Sequence, residues 1–92
     1  MPLAVLERSL EVLDLAAATV VRGNPNSLSD AGVAALCART CAEGAYLNVV
    51  INLKSLTDAS WVRATREKAV ALRRRAVARS AEILAEVGAE LG

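Results

Sequence analysis

Gly23-Asn24-Pro25-Asn26-Ser27-Leu28-Ser29-Asp30 leads into Ala31-Gly32-Val33-Ala34-Ala35. The apolar stretch then runs on to Gly44-Ala45-Tyr46-Leu47-Asn48-Val49-Val50-Ile51-Asn52-Leu53. Gly23 follows Arg22 as a helix stop, since glycine enters the left-handed C′ conformation without a Cβ penalty. The residue before a proline is disfavoured in the α region, so Asn24-Pro25-Asn26 reads as extended chain or turn. Ser29 or Asp30 then caps a second helix, a side-chain oxygen accepting N–H groups that the first turn leaves orphaned. From there to Leu53 the apolar residues follow no period of two, so the segment reads as one long, nearly all-apolar helix.

Working outward, the flanking segments are helical too. Pro2 suits a first helical turn, and Leu3, Leu6, Leu10, Leu13, Ala17, Val20 and Val21 form an apolar stripe beside Glu7, Glu11 and Asp14. Lys54-Ser55-Leu56 is a second turn, and Thr57 or Asp58 caps a third helix from about Ala59 to near Gly88. Within it Val70, Val77, Leu84 and Leu91 recur every seven residues, as do Val62, Ala69, Ala76 and Ile83. Two such rows make a packing seam of coiled-coil type. The expected fold is therefore all-α: one domain over residues 1–92, an antiparallel bundle of three helices with turns at about 23–28 and 54–58, completed by oligomerisation. With no Phe, one Tyr and one Trp, the core has few large side chains, so close helix contacts repeated along the chain must supply its stability.

Helix two carries a polar stripe. At about 100° per residue, Asp30, Cys37, Cys41, Asn48 and Asn52 share a band about 60° wide. Arg39 and Glu43 mark the opposite, wet face. An unpaired buried amide costs on the order of 1–3 kcal/mol, so Asn48 and Asn52 on an enclosed helix need partners across an interface or on a ligand. Gly44 costs roughly 1 kcal/mol in mid-helix relative to Ala, which a close backbone approach there would offset. Asp30 is either a helix cap or one wall of a cleft with Asn24 and Asn26. Cys37 and Cys41, one turn apart, read as small packing residues.

Several function classes are poorly served. A net charge of +1 gives no field steering the chain to nucleic acid or membrane, and no apolar run reaches the roughly 20 residues a bilayer span needs. The start of the chain lacks a signal-peptide pattern, so a soluble cytoplasmic protein is expected. There is no His, and two helical thiols leave a metal shell incomplete, so no metal site is expected. The basic run Arg63, Arg66, Lys68, Arg73, Arg74, Arg75 and Arg79 admits three readings: a solvated face bridged to Glu82, Glu86, Glu7, Glu11 or Asp14, an anion site for a ligand's carboxylates, or a nucleic-acid surface. Its arginines point all round the helix, and Trp61 alone makes no stacking platform.

The blocks Gly23-Asn24, Ser29-Asp30 with Val33-Ala34-Ala35, Gly44-Ala45-Tyr46, Asn48-Val49 and Ile51-Asn52-Leu53, in this order and spacing, resemble the cyclodeaminase/cyclohydrolase family. It comprises the cyclodeaminase domain of formiminotransferase-cyclodeaminase and related bacterial methenyltetrahydrofolate cyclohydrolases. The resemblance covers nearly the whole chain. It implies a dimer-forming or higher homo-oligomeric helical domain in folate one-carbon metabolism. Such a domain closes formimino-tetrahydrofolate with loss of ammonia or hydrolyses the methenyl ring. A tetrahydrofolate derivative is then the substrate, with no prosthetic group. Asn24, Asp30, Asn48 and Asn52 occupy the family's polar motif positions and are the expected substrate-binding residues, while the arginines of helix three would meet the folate tail. Family members are about twice this length, and their N-terminal half carries a Pro-Gly-Gly-Gly-Ser segment and a catalytic acid that this chain lacks. The chain is thus expected to match their C-terminal half, with its catalytic residues unassigned and its activity alone in doubt. The competing reading is a non-catalytic helical oligomerisation or partner-binding module whose polar stripe selects the partner.

Overall fold

The computed structural model describes residues 2–21 and 25–91, and the side chains of all of these except positions 19, 21, 25 and 26. Helix α1 runs Pro2–Val21, α2 Pro25–Leu53 and α3 Ala59–Leu91. Each packs against both others in a rod of 51 × 16 × 16 Å. The all-α three-helix bundle is as expected. The first turn is shorter than the expected 23–28, because α2 already begins at Pro25. A proline's fixed φ and missing N–H suit a first helical position as well as they suit a turn. Gly23 and Asn24 lie outside the described residues.

The second turn falls where expected. Lys54, Ser55 and Leu56 donate backbone N–H groups to the carbonyls of Ile51, Asn52 and Leu53, three residues back, at 3.2–3.4 Å. The Ser55 hydroxyl donates to the Asn52 carbonyl at 3.0 Å, so the last orphan acceptors of α2 are used. Asp58 then caps α3. Its Oδ1 accepts the Trp61 N–H at 3.0 Å, and its carbonyl accepts the Val62 N–H at 2.9 Å.

The core is built on small side chains. On α2 the buried residues are Leu28, Ala31, Ala35, Ala38, Ala42, Ala45, Val49 and Leu53. They advance by steps of three and four, alternating as far as Val49, which keeps one line of the helix facing inward. Leu6, Leu13, Ala16 and Val20 meet them from α1, and Ala69, Leu72, Ala76, Ile83 and Val87 from α3. Gly32 is buried beside α3, where an added Cβ would sit 3.4 Å from Cγ1 of Val87, an ordinary contact.

Only one expected row of α3 is central. Ala69, Ala76 and Ile83 are buried, but Val70, Val77 and Leu84 are half-buried and Leu91 is exposed. Leu72, Ser80 and Val87 complete the inward face. Ser80 and Ser9, both buried, each donate a hydroxyl to a carbonyl one turn back, Val77 and Val5, at 2.9 Å. These local bonds satisfy the hydroxyls and let small polar residues fill alanine-sized space.

Ion pairs lace the outside. Lys68 reaches Glu7 at 3.1 Å, and Arg79 bridges Asp14 at 3.6 Å and Glu82 at 3.0 Å. Arg73 of α3 holds Glu43 of α2 at 2.9 Å, with Arg39 at 3.5 Å on the other carboxylate oxygen. The Arg73 guanidinium also lies 5.1 Å from the Tyr46 ring centre, a cation–π distance. Much of the basic run is thus an ion-paired solvated face. The hydrogen bond from Arg73 holds the Glu43 carboxyl below its ordinary value, with the Arg39 and Arg73 charges adding to it against a smaller desolvation effect.

Two predictions follow from this packing. Ala42, fully buried, sits where helices touch, so Ala42→Leu should cost about 1–3 kcal/mol through overpacking. Gly44, whose added Cβ meets nothing within 4 Å, should accept Ala with a gain of up to roughly 1 kcal/mol in the monomer. Urea titration followed by circular dichroism reads both, and equal effects would refute the assignment of faces. Second, Glu43 has a lowered folded pKa, so its pairing stabilises above the unfolded value of 4.5 and is lost as pH falls through the folded one. Glu43→Gln should therefore lower Tm at pH 7 and leave it unchanged at about pH 2.

Candidate functional site

The polar stripe of α2 lies outside the core. Asp30, Cys37, Cys41, Asn48 and Asn52 are all exposed, which overturns the expectation of enclosed amides and of cysteines as buried packing residues. Helix α2 is apolar on two faces, and the bundle takes the alanine face. Alanine permits the closest helix approach and has no polar group to desolvate, whereas burying the other face would strip water from two amides and a carboxylate. Gly44 is likewise exposed, and the expected close approach at that residue is absent within the chain. Among the described residues, no buried side-chain nitrogen or oxygen lacks a hydrogen-bond partner.

The helix also separates the expected site residues. Asp30 and Asn52 stand twenty-two positions apart on one continuous helix, or ~33 Å at 1.5 Å per residue. One reacting centre cannot touch both within a single chain. Asn24 and the Asn26 side chain are outside the described residues, so the cleft they were expected to form with Asp30 is as well.

At the other end of α2 the three helices enclose a cleft of about 510 Å³. The start of α1 supplies Pro2 and Leu3, and the end of α2 supplies Val49, Asn52 and Leu53. Leu56 comes from the turn, and Trp61, Ala64, Thr65 and Lys68 from the first turns of α3. The Asp58 cap sets the start of α3 and so carries Trp61 to the mouth, where its ring is half-exposed. The lining is mostly apolar, with an amide at Asn52, a hydroxyl at Thr65 and an ammonium at Lys68; among the described residues no carboxylate lines it. A flat ring system fits such a place: apolar walls and an indole take its faces, and a few polar groups address its edge.

Of the expected site residues that are described, Asn52 alone lines this cleft. Asn48 is exposed one turn back on α2, and Asp30 is remote. Sequence reasoning missed Thr65, set Trp61 aside as no stacking platform, and had Lys68 only as one member of a basic run. Their signal was the Asp58 cap beside the 54–58 turn, which places the first two turns of α3 against the end of α2. Among the described residues, no helix is long and apolar enough to cross a membrane.

Comparisons with known proteins give a family and two relatives. A methenyltetrahydrofolate cyclohydrolase of Methylorubrum extorquens is 45% identical over 60 residues, covering 65% of this chain and 29% of the relative. The formimidoyltransferase-cyclodeaminase of Rattus norvegicus is 40% identical over 67 residues, covering 73% of this chain and 12% of the rat protein. The chain therefore spans well under half the length of either relative. No solved structure gives a significant match. The family model described as formiminotransferase-cyclodeaminase matches residues 1–71, which take in α1, α2, the 54–58 turn and the cleft-lining part of α3, and the chain belongs to that family.

Proposed function

We propose that this chain is a single helical folate-binding domain of one-carbon metabolism, equivalent to the C-terminal half of a cyclodeaminase/cyclohydrolase domain. The observation that carries this reading is Asn52, an amide opening into an apolar cleft beside the single Trp of the chain. The reduced pterin of a tetrahydrofolate adduct lies against Trp61 and Leu56. The Asn52 amide and Thr65 hydroxyl address its ring nitrogens and carbonyl, since each can donate and accept. Lys68, which lines the cleft though it is paired with Glu7, meets the anionic tail.

The chemistry at the one-carbon unit is cyclisation with loss of ammonia or hydrolysis of the methenyl bridge. Either needs a proton moved at a ring nitrogen. The cleft presents an amide, a hydroxyl and an ammonium but no carboxylate, so the isolated chain binds and orients while the acid comes from elsewhere. Asn48, one turn from Asn52 on the exposed face, is placed for the far edge of the same ligand. The resident state is soluble and cytoplasmic, with no metal or prosthetic group.

Trp61, as the sole Trp, gives a direct readout. Titration with folinic acid, a stable folate analogue, should quench its fluorescence saturably and raise Tm. Asn52→Ala should weaken binding by about tenfold, the equivalent of 1.4 kcal/mol expected for a lost ligand hydrogen bond. No quenching and no Tm change at millimolar ligand would eliminate the folate reading.

A further inference from the structure

Neither the bundle nor the cleft gives Cys37 and Cys41 a role. Both are free thiols on the exposed side of α2. Unpaired cysteine is among the most often buried residue types, and its chemistry more than its packing gives it a use. Two of them open to solvent, one turn apart on one helix, form a preset dithiol. Cys41 stands eleven positions before Asn52, ~16 Å along the helix. The pair therefore lies apart from the cleft and does not depend on the folate reading.

Spacing decides what the pair can do. Residues four apart on a helix hold their Cβ atoms about 5–6 Å apart. A disulfide draws those atoms to about 3.5–4.5 Å and the sulfurs to ~2 Å, which the helix permits only by distortion. One bridging atom asks for less. With the roughly 2.3 Å metal–sulfur bond of zinc as a guide, a linear ion holds its two sulfurs ~4.6 Å apart. That is close to the spacing two cysteines on one row already have. Helical side chains lean alike toward the N-terminus, so two sulfurs on one row stay side by side.

The surroundings decide which ion. One turn to either side of the pair stand Val33, Ala34, Ala38, Thr40, Gly44 and Ala45. None carries a carboxylate or an amine, and the Thr40 hydroxyl is already donated to the Leu36 carbonyl at 3.1 Å. A Cβ added at Gly44 would meet nothing within 4 Å, so the helix surface beside Cys41 is open. Among the described residues, no three His, Cys, Asp or Glu side chains gather as a metal shell. Soft thiolate ligands suit Cu(I), zinc and iron–sulfur clusters. Zinc and the clusters take four ligands, and that is the shell two thiols leave incomplete. Cu(I) is satisfied by two.

We propose that Cys37 and Cys41 form a two-coordinate site for a soft monovalent ion, Cu(I), exchangeable with solvent and unused by the chemistry of the cleft. Each thiol gives up its proton to water as its sulfur bonds to the metal. One Cu(I) and two thiols thus yield a bis-thiolate of charge −1 and two protons. The copper stays Cu(I), and no oxidant or reductant takes part. The ion ties two successive turns of α2 together on its exposed side.

The probe is Cu(I) itself, offered to the full chain in oxygen-free buffer as its coloured bathocuproine disulfonate complex. The native chain should withdraw one Cu(I) per chain. Cys37→Ser and Cys41→Ser should each bind at least ~100-fold more weakly, the low end of what linking two binding groups gains. Cys41→Ser combined with Leu47→Cys keeps two exposed thiols but sets them ~15 Å apart along α2. It should bind as weakly as the single variants. All of these changes lie at exposed positions and should leave the helical circular dichroism intact. Undiminished binding by the respaced variant would show that thiol content and not spacing holds the ion, and would overturn the proposal. So would one ion per two chains, or a copper X-ray absorption spectrum with three or four sulfur neighbours in place of two. Failure of both thiols to react with a thiol reagent in the folded chain would also sink it, because the pair must face solvent.

Discussion

Close contact between alanines sets the terms for the rest of this structure. With Ala31, Ala35, Ala38, Ala42 and Ala45 buried along α2, and Ala69 and Ala76 buried on α3, small side chains make up much of the surface between the helices. Each such contact is individually weak. Stability therefore depends on repetition along a rod 51 Å long, helped by the larger Leu6, Leu13 and Ile83 at full burial. Surface pairs such as Glu43 with Arg73 fasten the helices from outside, where solvent screening limits what each contributes.

That same choice of core decides what α2 offers to the outside. Because the alanine line takes the inward position, the line bearing amides, thiols, Gly44 and large aliphatic residues is turned to solvent. Helix α2 is thus both the packing centre of the bundle and its most featured surface. The cleft at its C-terminal end inherits Asn52 from that surface and its apolar walls from the turn and from α3. Binding capacity arises at the seam between the two faces.

A polar residue on an apolar helix admits two accounts, buried with a partner or exposed and awaiting one. Periodicity alone does not separate them when both faces are apolar. For Asn48 and Asn52 the second account holds within this chain, and the same ambiguity misplaced Cys37, Cys41 and Gly44. The cap of α3 was legible to within one residue, Thr57 or Asp58, and the folded chain uses Asp58; the same signal at Ser29 and Asp30 misled, since α2 already begins at Pro25. The charge run on α3 was legible in the same way: three of its members, Lys68, Arg73 and Arg79, find acids within 4 Å.

Local chemistry along the chain was sufficient for three helices, for the turn over 54–58, for the cap at Asp58 and for the family, since each depends on residues near one another in order. Pro25 satisfied both a turn and a first helical position, so the start of α2 needed the folded chain. Which apolar face of α2 turns inward, and that Trp61, Thr65 and Lys68 meet Asn52 around one cleft, are long-range outcomes. They follow from how closely three helices can approach, and side-chain volume summed across neighbours decides that, whatever the pattern along any one helix.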